Sequence, residues 1–294
     1  MIFYKTSSFG NDFIEIDEND LPIAPADKCL LAREICDAHH AVGADGVVFY
    51  SPCRKAGIPL GDRLRGNAFN FQIHNRDGGE AELSGNGMAG LAAVLFRRRL
   101  ASSPLILHTA VGRRRIELLA RRGPVFQLNV EIGRPDFSNR NFFPFLKDKQ
   151  DQWVIDGLEF YPVSVGNPHA VVICQEQMDT DALTALGEKL ENHPMFPRRV
   201  NVEFVYFTAA ENPIDGTAAL GPASCRVFFY ERGVGPTLAS STGSAAAFAV
   251  LRRLGKIRDH LAIDCGAEKI VVSWNKGIFI RNFTRLICRG EYFL

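Results

Sequence analysis

Two stretches of the chain run without a charge, Leu83–Phe96 and Pro236–Leu251. Each opens on small polar residues of the kind that cap a helix, Ser84-Gly85-Asn86-Gly87 in the first and Ser240-Ser241-Thr242-Gly243 in the second. A helix that is apolar all round is normally buried, and both are shorter than the roughly 18 residues a membrane span needs. Each is therefore expected to be wrapped by other structure. Short β-rich runs punctuated by Gly and Pro supply the wrapping. In the first half these are Ile2–Lys5, Phe13–Asp17, Gly46–Tyr50, Phe69–Asn75, Leu105–Thr109 and Arg115–Leu119. In the second they are Val125–Ile132, Tyr161–Val165, Ala170–Cys174, Asn201–Phe207, Cys225–Tyr230 and Lys269–Trp274. The pattern predicts an α+β protein with a long buried helix enclosed by antiparallel strands in each half. Asn139–Asp151, polar with three phenylalanines, reads as a loop or edge excursion.

The two uncharged stretches also match each other. Shifting the first by 156 residues aligns Ser84 with Ser240, Gly87 with Gly243, Ala89 with Ala245, Ala93 with Ala249, Val94 with Val250, Leu95 with Leu251 and Arg97 with Arg253. The same shift carries Arg76 to Arg232 and Gly79 to Gly235 upstream of the helices. Alanine-rich helices agree by chance, but gapless agreement reaching back to an arginine points to an internal duplication.

Bulk composition adds limits. The 294 residues are 46% apolar and 23% charged, as in a globular protein of one large or two ordinary domains. A formal net charge of +1 gives no reason to expect nucleic acid or an anionic membrane as partner. The clusters Arg97–Arg99, Arg113–Arg115 and Arg121–Arg122 read as solvated helix ends and loops. Seven scattered cysteines with no CxxC pair, and an N-terminus unlike a cleaved leader, suit a reduced cytoplasmic setting better than a disulfide framework.

The helix starts carry the first chemical suggestion. A helix N-terminus points N–H groups and a positive dipole outward, and so attracts a carboxylate or phosphate. Simple capping explains one such start; finding it twice at one offset leaves capping and anion binding evenly matched. Around them lie His74-Asn75-Arg76-Asp77-Gly78-Gly79-Glu80, Gly166-Asn167-Pro168-His169 and Tyr230-Glu231-Arg232-Gly233, which taken singly suggest only loops. No His/Cys spacing suits a metal, and no phosphate loop or dinucleotide fingerprint occurs, so neither metal nor nucleotide cofactor is expected.

Taken together these segments resemble the diaminopimelate epimerase family. Lys5-Thr-Ser-Ser-Phe-Gly10-Asn11-Asp12-Phe13 is similar to its K-x-x-G-x-G-N-D-F opening, with Ser8 at the first glycine. Gly43-Ala44-Asp45-Gly46 resembles its G-A-D-G, and Asn75 to Gly87 resembles N-x-D-G-S-E-A-E-x-C-G-N-G. Gly166-Asn167-Pro168-His169, Asn201-Val202-Glu203-Phe204 and Glu231-Arg232-Gly233 match outright, and Cys288-Arg289-Gly290-Glu291 resembles the closing F-x-G-E.

The resemblance implies two pseudo-symmetric halves, 1–124 with a returning strand at 277–294 and 125–276, with the active site in the cleft between them. It implies an isomerase of lysine biosynthesis that works without cofactor or metal on a small-molecule amino acid substrate, diaminopimelate being the first candidate. Two cysteines would face opposite sides of the substrate Cα, one as thiolate base and one as thiol acid. Here Ser84 and Ser240 occupy those places, with His169 implied as partner of Ser84 and Glu231 as partner of Ser240. Gly85, Asn86, Ser241 and Thr242 would hold the α-carboxylate through the backbone. Asn11, Asn75, Asn167, Asn201 and Arg232 would recognise the rest, the arginine suiting a distal carboxylate. Oligomeric state stays open, a homodimer being one arrangement.

A serine hydroxyl is far less acidic than a thiol and needs an adjacent base. Three accounts follow. The serines are engineered, against which Ala89-Gly90 and Ser241 also depart from the family's Arg-Cys and Gly. The chain is an isomerase using His169 and Glu231 directly. Or it binds an amino acid without turning it over.

Overall fold

The computed structural model describes residues 1–20, 23–53, 67–147, 150–207, 223–265 and 269–293. In chain order the first elements are β1 (Ile2–Ser8), β2 (Asn11–Asp17), α1 (Pro25–Ile35), β3 (Gly46–Pro52), β4 (Ala68–Asn75), β5 (Glu80–Ala81) and α2 (Gly85–Arg98). Then come β6 (Leu105–Thr109), β7 (Gly112–Arg122), β8 (Val125–Gly133), β9 (Trp153–Ile155), β10 (Leu158–Ser164), β11 (Pro168–Ile173) and α3 (Thr180–Glu191). The last are β12 (Asn201–Phe207), β13 (Ala223–Glu231), β14 (Gly235–Thr237), α4 (Ser241–Arg253), β15 (His260–Asp264), β16 (Lys269–Trp274) and β17 (Ile278–Glu291). None of the described helices is long and apolar enough to cross a membrane. The chain divides into two compact units, Met1–Glu131 with Arg281–Leu294, and Ile132–Ile280.

In the first unit the strands close on themselves. β1 pairs β2, β2 pairs β3, β3 pairs β4, β4 pairs β6, β6 pairs β7 and β7 pairs β8. β17 then pairs with both β8 and β1, completing a barrel. It encloses α2, whose residues from Gly85 to Phe96 are all buried. The helix stops at Arg99, held in the left-handed conformation (φ 59°). Arg98 does more than meet solvent there: it is half-buried, bonding Asp17 at 2.9 Å and the Tyr50 hydroxyl at 2.7 Å.

The expectation of purely antiparallel wrapping is corrected. β2–β3 and β4–β6 are parallel in the first unit, and β11–β12 and β13–β15 are parallel in the second. The cause is the connections. Between each of these pairs the chain passes through a helix, and such a crossover returns the next strand in the same direction.

The second unit follows β10, β11, β12, β13, β15 and β16, with β9 hydrogen-bonded to β10 and β14 to β13. Its α4 is buried from Ser241 to Leu251 and packs on β10, β11, β12 and β16. The stretch expected as a loop or edge excursion is a chain of turns over its described part, yet Phe142, Phe143 and Leu146 drop into the unit's core beside Phe160, Phe196 and Phe204. The polar residues between them masked that burial in the sequence.

Element bounds repeat between the units. Adding 156 to β1 gives Leu158–Ser164, the bounds of β10, and the same shift brings β2 onto β11, α1 onto α3, β3 onto β12, β4 onto β13, α2 onto α4 and β6 onto β15, within one or two residues at each end.

Candidate active site

In the second unit the loop before β11 turns at Gly166, whose φ of 118° a side chain would resist. It delivers Asn167 and His169 to the head of β11. β12 lies parallel to β11 with Asn201 opposite His169, and β13 brings Glu231 to its end in the hairpin with β14. The chain then enters α4. Side chains from four adjacent elements therefore meet around the helix start.

Ser240 is the N-cap of α4, accepting the Gly243 N–H at 3.1 Å. The same hydroxyl donates to Glu231 Oε2 at 3.3 Å, while the Thr237 hydroxyl donates to Glu231 Oε1 at 2.7 Å. Burial pushes the Glu231 carboxyl up to about 7. The Thr237 bond opposes the shift, nearby Glu203 adds to it, and Ser240 and His169 oppose it. A carboxyl in that range both takes and returns a proton near neutrality, which general acid–base chemistry requires.

His169 is fully buried (0% exposed). Its Nδ1 lies 2.7 Å from Glu203 Oε1 and its Nε2 2.8 Å from Asn167 Oδ1. Asn201 serves the scaffold at both ends of its amide, donating to Pro168 O at 2.8 Å and accepting the Arg232 N–H at 3.0 Å. The Arg232 guanidinium donates to Arg198 O at 3.1 Å. Ser241 and Thr242, the first residues of α4, are both buried.

The first unit builds a different set around α2. Ser84 is the N-cap, accepting the Gly87 N–H at 3.1 Å. Behind it runs a chain of amides and hydroxyls. Asn86 donates to Asn11 at 3.0 Å, Asn282 to Asn86 at 3.1 Å and Thr284 to Asn282 at 2.8 Å, and Ser8 meets Thr284 at 2.6 Å. Asn11 is also 3.4 Å from Asp45. Asn75 ends β4 in a turn, its N–H donating to Gly79 O at 2.9 Å. Gly85, next to Ser84, is buried.

The geometry thus joins Ser240 with Glu231, His169 with Asn167, Asn201 with Arg232, and Asn11 with Asn86. Ser84 and His169 belong to different units, and their pairing stays an implication of the resemblance. Sequence reading gave no role to Thr237, Asn282, Thr284 or Glu203. Of these only Glu203 left a signal, a lone acid within the apolar run Val202–Val205 of a strand, where a solvent-facing explanation fits poorly.

Solved structures share this fold. A probable proline racemase from Agrobacterium radiobacter with bound carbonate superposes with a TM-score of 0.66 at 15% identity, over 100% of this chain and 93% of that one. A hydroxyproline epimerase from Agrobacterium vitis with bound trans-4-hydroxy-L-proline does so with 0.65 at 15% identity, over 99% and 90%. The architecture is thus one also found in racemases and epimerases. Sequence narrows this further. The family model for diaminopimelate epimerase matches residues 3–137 and 161–277. The diaminopimelate epimerase of Carboxydothermus hydrogenoformans is 30% identical over 302 aligned positions, covering 100% of both chains. The chain belongs to the diaminopimelate epimerase family.

Proposed function

We propose that this protein is a cofactor-independent isomerase acting at the Cα of an amino acid, with Glu231 and His169 as its acid–base groups and Ser84 and Ser240 standing where the family has thiols. The observation that carries the reading is the Glu231 carboxyl, raised to about 7 and hydrogen-bonded to Ser240. Serine is too weak an acid to replace a thiolate by itself. With a carboxylate that titrates near neutrality beside it, the hydroxyl need only pass a proton or hold the carboxylate in place.

The substrate's α-carboxylate is assigned to the helix starts, through the N–H groups of Gly85, Asn86, Ser241 and Thr242 and the two helix dipoles. Asn75, Asn167 and Arg232 bear on the remainder of the substrate, and Arg232 suits a second carboxylate, for which diaminopimelate is the first candidate. Asn11 and Asn201 have their amides engaged by Asn86 and Asp45, and by Pro168 and Arg232, so they shape the site from behind. In the same reading the two units are copies of one ancestral unit, which the shared offset of their elements supports.

A second reading is a binding protein without turnover. What favours it is that the ring nitrogens of His169 both have partners and that both thiol positions hold serine. The two separate on one measurement, hydrogen–deuterium exchange at Cα in deuterated water with LL- and meso-diaminopimelate and a panel of amino acids, run beside calorimetric binding. Exchange that is lost in Glu231→Ala and His169→Ala supports the isomerase. Tight binding with no exchange on any ligand supports the binding protein.

A further inference from the structure

Glu203 sits on β12 inside the second unit, 1% exposed. One of its oxygens, Oε1, lies 2.7 Å from His169 Nδ1; the other, Oε2, is buried and has no hydrogen-bond partner among the described residues. A carboxylate left in this state would be costly, because the hydration it loses on burial is offset only by a close partner. His169 is the partner the structure gives it. A carboxylate oxygen accepts, so Nδ1 carries a proton and donates to Glu203. Asn167 Oδ1 at 2.8 Å likewise accepts, so Nε2 also carries a proton in this arrangement, and that proton, held by a neutral amide instead of a carboxylate, is the one left to exchange.

Two further observations bear on the pair. A Cβ placed on Gly243 would lie 2.8 Å from the same Oε1, so the carboxylate is seated against the first turn of α4 and glycine is what lets it sit there. In the first unit Phe13 stands where His169 stands in the second, and the strand pairing matches Glu203 to Val48; both are buried and apolar. Acid and base are thus present together in one unit and absent together from the other, as expected of two groups that work as one.

We propose that Glu203 is a positioning residue: it fixes His169 with its proton on Nδ1 and so presents Nε2, beside Asn167, as the face that moves a proton. The inference rests on the acid–base role given to His169 above, and deepens it. Glu203 is not itself placed on substrate. Glu203 also acts on Glu231, raising its carboxyl, while His169 acts on it in the opposite sense.

The test uses the full chain with 15N-labelled histidine, reading the protonation of both ring nitrogens of His169 by long-range proton–nitrogen NMR, assigned by loss of the signal in His169→Gln. The wild-type protein should show a protonated Nδ1 across the neutral range. Glu203→Gln should abolish that preference and lower kcat for Cα exchange about 10- to 100-fold, with KM changed less than twofold, the scale seen when an orienting partner is removed. Glu203→Asp should restore part of both. Gly243→Ala, which displaces the carboxylate without removing it, should reproduce the Gln spectrum in a protein with native circular dichroism. An unprotonated Nδ1 in the wild type, or a spectrum unaltered in Glu203→Gln, overturns the proposal. If no amino acid exchanges at all, the isomerase reading fails while the NMR result still decides the role of Glu203.

Discussion

The hydroxyl of Ser240 donates to Glu231 Oε2 across 3.3 Å while also capping α4, so one serine ties a titrating carboxyl to a helix start. Removing the carboxylate charge while keeping its shape isolates its chemical part. Glu231→Gln should lower Cα proton exchange by about 10²- to 10⁴-fold, the usual contribution of a general acid–base group. In the wild type the rate should bend near pH 7, where the carboxyl titrates. Deuterium incorporation followed by mass spectrometry from pH 5 to 9 reads both, and a wild-type profile flat through neutrality would count against Glu231.

The same carboxyl should leave a mark on stability. Its folded-state value is raised from 4.5 to about 7, so between these limits the folded protein holds a proton that the unfolded chain has lost. Stability is therefore greater at the acid end of that window and declines as pH rises through it. Denaturant midpoints taken at pH 5 and pH 8 should show a smaller acid-to-alkaline fall in Glu231→Gln than in the wild type. An equal fall in both would place the effect elsewhere.

Restoring thiols asks whether the family's chemistry is still housed here. The double change Ser84→Cys and Ser240→Cys keeps side-chain size nearly constant and supplies groups that ionise near pH 8.5. Epimerisation of LL-diaminopimelate, followed by chiral chromatography, should rise above the wild-type rate. No increase would mean that the surroundings of these two positions have diverged as well.

In the first unit, Gly90 predicts a reversed substitution effect. Ala in place of an exposed mid-helix Gly ordinarily stabilises by about 1 kcal/mol. Here an added Cβ would overlap Glu15 Oε1 and the Thr6 hydroxyl inside the barrel. Gly90→Ala should thus destabilise by about 1–3 kcal/mol, the range for overpacking a filled core. Combining it with Glu15→Ala should recover part of the loss in a double-mutant cycle. Glu15 is fully enclosed and burial pushes its carboxyl well above the usual carboxylate range, the Thr6 hydrogen bond opposing it. Chemical denaturation of the three variants measures this, and additive effects would refute the steric account.

Much of this arrangement could be read from the chain, and the parts that could not share a cause. Uncharged runs announced both buried helices, because burial all round leaves a one-dimensional trace, and Leu105–Thr109, Asn201–Phe207 and Lys269–Trp274 form strands at the bounds expected. Strand direction left no such trace: whether β2 and β3 run parallel depends on the path of the intervening chain. The polar interior was equally hidden. Asn86, Asn282 and Thr284 are far apart in sequence and gain meaning only as neighbours, and Glu203 was visible within a motif but silent until its oxygen was seen beside His169.

The last strand has a consequence for how the molecule is made. β17 seals the first barrel between β8 and β1, and Met1 donates to Tyr292 O at 2.6 Å. Nearly all of the second unit is synthesised between β8 and the segment that seals it. During translation the earlier barrel must therefore wait with two strand edges open while the later unit emerges. Unpaired edges of that kind recruit other chains. The interval before closure is the stage at which a chaperone would matter most, and slowing elongation across the second unit should lower soluble yield without altering the finished fold.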